Sequence, residues 1–88
     1  MKLKDFDLIE IEWADSLSNE GGWEELEDYD FADLYKDLIH WTVGYLIREN
    51  SEAVTLAHSL RGNKTYMLGV ITIPKGCIKK IRRIGNGR

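Results

Sequence analysis

The sequence predicts a small, mostly β protein of the α+β class, with five strands and one helix inserted after the first strand. Apolar and polar residues alternate in several short segments, which is the period of a half-buried strand. Clusters of Gly, Asn, Asp and Ser separate these segments, as turns do. One stretch has instead the spacing of an amphipathic helix. The 88 residues can build one core, so we expect residues 1–88 to form a single domain.

The first strand is predicted from residues 8–13, Leu-Ile-Glu-Ile-Glu-Trp. Strict alternation places Ile9, Ile11 and Trp13 on one face, and we expect that face to meet the core. A run rich in Ser, Asn, Asp and Gly at residues 15–22 ends the strand.

An acidic insert, residues 24–40, separates the first strand from the second and is predicted to be helical. Asp30 occupies a suitable N-cap position, and the acidic residues before it suit the positive end of a helix dipole. We expect a helix over about residues 30–39, and residues 24–30 either extend it or form a loop. The helix prediction rests on apolar side chains with i, i+3, i+4, i+7 spacing, namely Phe31, Leu34, Tyr35 and Leu38.

Four further strands follow the insert. One face of the second carries Trp41, Val43, Tyr45 and Ile47, and Trp41 is predicted to be a core residue like Trp13. On the third strand we expect Val54, Leu56 and Leu60 to face inward, and the fourth strand covers residues 66–73. Residues 78–84 have isoleucine at every third position, which favours a short 3₁₀ turn leading into a brief closing strand. Residues 85–88 are predicted to be a frayed tail.

Charge divides the chain into an acidic front and a basic back. Residues 1–37 hold thirteen of the fifteen acidic residues against three lysines, a balance of −10, and residues 38–88 carry +7. The net charge of −3 disfavours general coating of DNA or RNA. We rank three interpretations of this division. Neutralisation of the two halves within one fold comes first, head-to-tail assembly of copies second, and a basic face that binds nucleic acid third. The division makes a homo-oligomer the expected form.

Catalysis and metal binding lack a motif in this sequence. A nucleophile would have to be Cys77 or a serine activated by His40 or His58, and no spacing supports such a pair. Two separate histidines and one cysteine give no set of metal ligands. We therefore expect no enzyme activity, no metal and no cofactor. The single cysteine and the lack of a leader or long apolar run predict a cytoplasmic protein.

Two stretches resemble small five-strand barrels of the SH3-like and Sm-like kind. Residues 42–60 resemble the middle strands of Sm-like proteins, where a Gly-centred strand bends across the barrel. Residues 68–81 resemble the closing strand pair of that family, and also the Ile-Pro turn before the last strand of SH3 domains. Two features differ from Sm proteins. The predicted helix follows the first strand instead of preceding it, and only Asn50 stands where Sm proteins present an Asp–Asn pair to uridine.

The combination of motifs as a whole resembles a group of short phage-encoded proteins of unknown function. This resemblance covers most of the chain except the insert. It implies a phage-derived protein in the cytoplasm of the host cell, and it transfers no established activity. The motifs are Trp13-Ala-Asp15-Ser16, Gly22-Trp23, Val43-Gly44-Tyr45-Leu46, Leu56-Ala-His-Ser59 and Ile73-Pro74-Lys75-Gly76.

Seven residues form the candidate ligand-binding site. Its basic side chains would pair with phosphate, Trp23 would stack, and Asp15 with the hydroxyl groups would fix a sugar or base. His58 is in phase with core residues, so it is either a hydrogen-bonded imidazole of the core or rim, or a ligand contact. Trp23 either covers one end of the barrel or stacks on a partner. The candidates are Asp15, Ser16, Trp23, His58, Ser59, Arg61 and Lys64.

These features favour a non-catalytic, phage-type binding protein that oligomerises through barrel edges. Its ligand would be a small nucleotide signal, sequestered to counter host defence, or else a host protein. Two alternatives are an Sm-like RNA-binding ring and an SH3-like adaptor for protein interactions. Nucleic acid is the less favoured partner, because the basic segment from residue 75 onward has no aromatic residue for stacking. We expect no membrane partner.

Overall fold

The computed structural model describes residues 2–16, 23, 25–28 and 38–85, and these contain one antiparallel sheet of five strands. The strands are β1 (Leu8–Ala14), β2 (Ile39–Glu49), β3 (Ala53–Leu60), β4 (Met67–Pro74) and β5 (Ile78–Gly85). Their order across the sheet is β4-β3-β2-β1-β5, so β5 returns to pair with β1 and leaves β4 at the opposite edge. The mostly β class and the five strands are confirmed, and the sheet that the described residues form is not closed.

The helix predicted over residues 30–39 lies almost wholly outside the described residues. The described part of the insert contains a 3₁₀ turn at Leu26–Asp28. Ile39, predicted to end the helix, instead begins β2 and pairs with Ala14, so antiparallel pairing continues to the last residue of β1. Within the described ranges, no helix has the length and apolar character needed to cross a bilayer.

The core lies on the face of the sheet that the alternation in β1 predicted. Ile9 and Ile11 are fully buried, and each side chain of this kind contributes about 1.5–3 kcal/mol when it leaves water. Trp13 packs against them, and its indole N–H donates to Thr42 Oγ1 at 2.9 Å. The other buried members of the core cluster are Leu46, Val54, Leu56 and Ile73.

The exposed face of β2 is the one that the sequence indicated as apolar. The register places Gly44 opposite Ile9, and directly opposed residues share a face of the sheet. Gly44 and Leu46 are therefore turned to the core. Trp41 is 62% exposed, and its indole N–H donates to the Glu12 carboxylate at 3.1 Å. The prediction that Trp41 belongs to the core is wrong.

A bulge explains why Ile78 and Ile81, three residues apart in β5, share the core face, whereas Ile84 lies at a second register shift and is 48% exposed. Ile81 lies opposite Ile11 and Ile78 opposite Trp13, although these partners are only two residues apart on β1. The register shifts after Glu12, which inserts one extra residue into β5. Both isoleucines consequently pack against the core.

The 3₁₀ turn predicted within residues 78–84 is wrong, because Ile78–Gly85 is strand throughout; a 3₁₀ turn lies just before it, at Lys75–Cys77. The strand itself is longer than predicted and includes Gly85, which the sequence assigned to the frayed tail. The rest of that tail, residues 86–88, lies outside the described ranges.

The β3–β4 hairpin bends back across the sheet towards the residues that precede β1. β3 pairs with β2 only as far as Ala57, which lies opposite Tyr45. The Phe6 N–H donates to the Leu46 carbonyl at 2.7 Å, and Lys64 Nζ lies 4.9 Å from the centre of the Phe6 ring. A straight hairpin would move Lys64 away from Phe6 by about 3.3 Å per residue. The contact therefore requires the hairpin to fold over β2.

Two glycines occur where a side chain would collide with β3. A Cβ on Gly44 would lie 2.9 Å from the Ala57 carbonyl oxygen. A Cβ on Gly69 would lie 2.8 Å from His58 Cβ, and Gly69 also has a φ of +68°. A side chain at either position would collide with β3, so only glycine allows the neighbouring strand to lie this close to β3.

Two ion pairs join the acidic front of the chain to its basic back. Arg82 Nη2 lies 3.3 Å from Glu10 Oε1, and Arg83 Nη1 lies 3.4 Å from Asp7 Oδ2. Asp7 is buried and also accepts the backbone N–H of Lys4 at 2.9 Å. Part of the charge division is thus neutralised within one molecule, where β1 meets β5.

Candidate functional site

The loop between β3 and β4 is fixed by its own hydrogen bonds. The Arg61 N–H donates to the Tyr66 carbonyl at 3.0 Å, and the Lys64 N–H donates to the Arg61 carbonyl at 2.6 Å. Asn63 Oδ1 accepts both the N–H and the hydroxyl of Thr65, at 3.1 and 2.7 Å. Asn is suited to this role because its short side chain can bond the backbone two residues on. The loop therefore holds Arg61 and Lys64 in defined places.

Four of the seven predicted site residues line one depression beside this loop, which we call the hairpin depression. Its volume is about 360 Å³, within the usual range of small-molecule sites. Its lining contains two cations, an imidazole, a hydroxyl and one tyrosine. The lining residues are Tyr45, His58, Ser59, Leu60, Arg61, Gly62 and Lys64.

Each cation of the hairpin depression lies over an aromatic ring. The Arg61 guanidinium carbon is 4.6 Å from the centre of the Tyr66 ring, and Lys64 Nζ is over Phe6. Such contacts orient a cation without neutralising it. The ion pairs between described residues use other bases, and none places a carboxylate against Arg61 or Lys64. Both charges can therefore attract an anion.

His58 is exposed at the rim of the hairpin depression, although it falls in the same alternating sequence positions as the core residues of β3. The pairing of β3 with β2 ends at Ala57, so no residue of β2 pairs with His58, and its side chain is exposed. Its Nδ1 lies 2.8 Å from Ser59 Oγ. His58 is therefore not a core residue, whereas the alternative of a hydrogen-bonded imidazole at the rim agrees with the structure. The imidazole and the hydroxyl form one polar pair on the wall of the depression.

The other three predicted residues do not line the hairpin depression. Asp15 and Ser16 are exposed beyond the end of β1, where the Ser16 N–H donates to Asp15 Oδ1 at 2.7 Å. The Asp15 N–H donates to the Leu38 carbonyl at 2.8 Å, which extends the β1–β2 pairing by one step. Trp23 is fully exposed. The motifs that suggested these three residues therefore do not contribute to the depression that the other four line.

Sequence reasoning missed the aromatic members of the site. Tyr66 could have been found, because a hairpin loop of this length places it opposite Arg61. Phe6 and Tyr45 could not, because their positions depend on how the hairpin folds over β2.

The described residues contain no group of three or more His, Cys, Asp or Glu side chains that could hold a metal ion. Cys77 is a free, half-buried thiol that packs against the core cluster.

Comparison with known proteins adds no assignment. No protein-family model, no curated protein and no solved structure matches the chain.

Proposed function

We propose that this protein is a non-catalytic binding module for a small phosphate-bearing ligand of the nucleotide class, held in the hairpin depression. One observation carries the proposal: Arg61, Lys64, His58 and Ser59 line the same depression, and no described carboxylate pairs with either cation. Arginine binds phosphate oxygens through two parallel N–H groups, and lysine adds a point charge. The hydroxyl and imidazole offer further hydrogen bonds to phosphate or ribose.

The resemblance to phage-encoded proteins suggests where such a ligand would come from. Host cells signal infection with small nucleotides, and a protein that sequesters them in the host cytoplasm would act as a counter-defence protein. In this proposal the chain needs no chemistry of its own, because binding alone lowers the free concentration of the signal.

Isothermal calorimetry tests the proposal with inorganic phosphate, ribose 5-phosphate, AMP and cyclic mono- and dinucleotides. We expect at least one phosphate compound to bind, and Lys64→Ala or Arg61→Ala to weaken it at least about tenfold, the effect of losing one charge-assisted hydrogen bond. Lys80→Ala removes the same charge from β5 and is the matched control. Absence of heat with every phosphate compound, or equal losses in the control, would overturn the proposal.

The two open edges of the sheet favour a second candidate, assembly of copies into an oligomer. Among the described residues, no strand pairs with the outer side of β4 or of β5, and such edges can pair with another chain. We propose that the bent sheet is the open form of a small barrel and that copies join at these edges. An Sm-like ring of this kind would bind oligouridine in a salt-dependent manner. A monomer by light scattering, indifferent to oligouridine, would exclude it.

A further inference from the structure

A second depression adjoins the hairpin depression and has a different chemistry. Its volume is about 240 Å³. Aromatic and aliphatic side chains form most of its wall, and it shares Leu60 and Lys64 with the hairpin depression. We call it the apolar depression. Its lining residues are Phe6, Ile47, Leu60, Lys64, Thr65, Tyr66 and Met67.

Backbone conformation marks the same place. Phe6 and Lys64 are the non-glycine residues with positive φ in the described chain, at 67° and 60°. They belong to turns far apart in sequence, yet they contact each other and both line the apolar depression. Left-handed backbone is unfavourable for such side chains and persists where surrounding contacts enforce it, often at ligand sites. Both turns are held by short backbone hydrogen bonds, of 2.7 and 2.6 Å.

Tyr66 presents an aromatic surface that the protein leaves uncovered. It is 61% exposed although Arg61 lies over its ring, so a planar group can meet the remaining surface. Met67 beside it is 51% exposed. Exposed apolar groups gathered at a depression are typical of ligand sites. Every nucleobase has a flat π-face, so stacking on tyrosine is compatible with any of them.

We infer that the apolar depression binds the base of a nucleotide whose phosphate lies on Arg61 and Lys64 in the hairpin depression, so that the ligand straddles Lys64. This inference rests on the proposed function and adds the subsite for the base, which would distinguish a nucleotide from a bare phosphate or a sugar phosphate. Tyr66 is the stacking residue, and Phe6 lines the same depression. Phe6 and Tyr66 also act as positioning residues for the two cations they contact.

The test compares the nucleotide that binds best in calorimetry with ribose 5-phosphate, which carries a phosphate on ribose and has no base. We expect the nucleotide to bind at least about tenfold more tightly. Tyr66→Leu should abolish most of that difference while ribose 5-phosphate binding falls no more than about threefold, because stacking on one aromatic residue contributes about 1–3 kcal/mol. Tyr66→Phe keeps the ring and should retain the preference. Val70→Ala, on β4 four residues after Tyr66 and outside both depressions, is the control.

Saturation-transfer NMR on the wild-type protein gives a result that does not depend on the folding of any variant. We expect the base protons of the nucleotide to receive more saturation than its ribose protons. The inference is overturned if ribose 5-phosphate binds as tightly as the nucleotide, or if the ribose protons are saturated most. If neither compound binds, the proposed function itself fails, so the two failures are distinguishable.

Discussion

Replacing Gly69 with alanine is expected to destabilise the protein strongly, through two separate effects at one Cβ. The first is conformational: the φ of +68° is left-handed, which costs an alanine about 1–2 kcal/mol. The second is steric: the new Cβ would lie 2.8 Å from His58 Cβ, whereas carbon atoms prefer about 3.5–4.0 Å. Forcing an extra methyl group into such a place costs about 1–3 kcal/mol.

Together these effects predict a loss of about 2–5 kcal/mol in the free energy of unfolding. A domain of this size has a total of about 4–13 kcal/mol, so the variant would lose a large share of its stability. The melting temperature should fall by about 8 °C or more. Urea unfolding followed by tryptophan fluorescence measures the change. Gly76→Ala is the matched control, because a Cβ at Gly76 meets open space and the φ there is not positive.

A double-mutant cycle separates the two effects. His58→Gly removes the atom that the new methyl group would strike and leaves the φ of Gly69 as it is. In that background we expect Gly69→Ala to cost only about 1–2 kcal/mol, the conformational part. The reasoning is refuted if Gly69→Ala unfolds at the same urea concentration as Gly76→Ala. An unchanged cost in the His58→Gly background would show that His58 is not the residue it strikes.

Two further predictions concern stability and are measured by the same unfolding experiment. Trp13→Ala should cost about 3–5 kcal/mol of unfolding free energy, because it removes a large side chain packed on the core and its hydrogen bond to Thr42. Trp41→Ala should cost less than about 1 kcal/mol, because that indole is mostly exposed. Equal losses would contradict the assigned face of β2. Arg83→Leu should cost about 1–3 kcal/mol, because it leaves the buried Asp7 carboxylate with less compensation; a neutral result would mean that this pair contributes nothing to the fold.

The sequence predicted those elements whose pattern is settled locally. In β1 the two faces differ sharply, since Ile9 and Ile11 alternate with Glu10 and Glu12, so the buried face could be assigned. In β2 the larger apolar side chains lie on the outer face, and the core side includes Gly44. Only the pairing with β1 decides between these faces, and no hydrophobicity pattern contains that information.

The candidate site likewise contains residues that the local sequence could group and others that only the fold brings together. His58, Ser59, Arg61 and Lys64 are close in sequence around one turn, so a local pattern could group them. Phe6 joins them only because the hairpin folds back over β2, which depends on distant contacts. Trp23 was included on a motif alone, and it lies outside the depression.

The pairing of β1 with β5 has a consequence for how the sheet is made. Glu10 and Arg82, which face each other across this pair, are 72 residues apart in sequence. Contacts of such long range slow folding, because a large loop must close before they form. β5 leaves the ribosome after the other four strands of the described sheet, so β1 does not have β5 beside it until synthesis has passed Gly85. During that time its buried face has no Ile78 or Ile81 to cover it, and the nascent chain is most open to wrong pairing or proteolysis then.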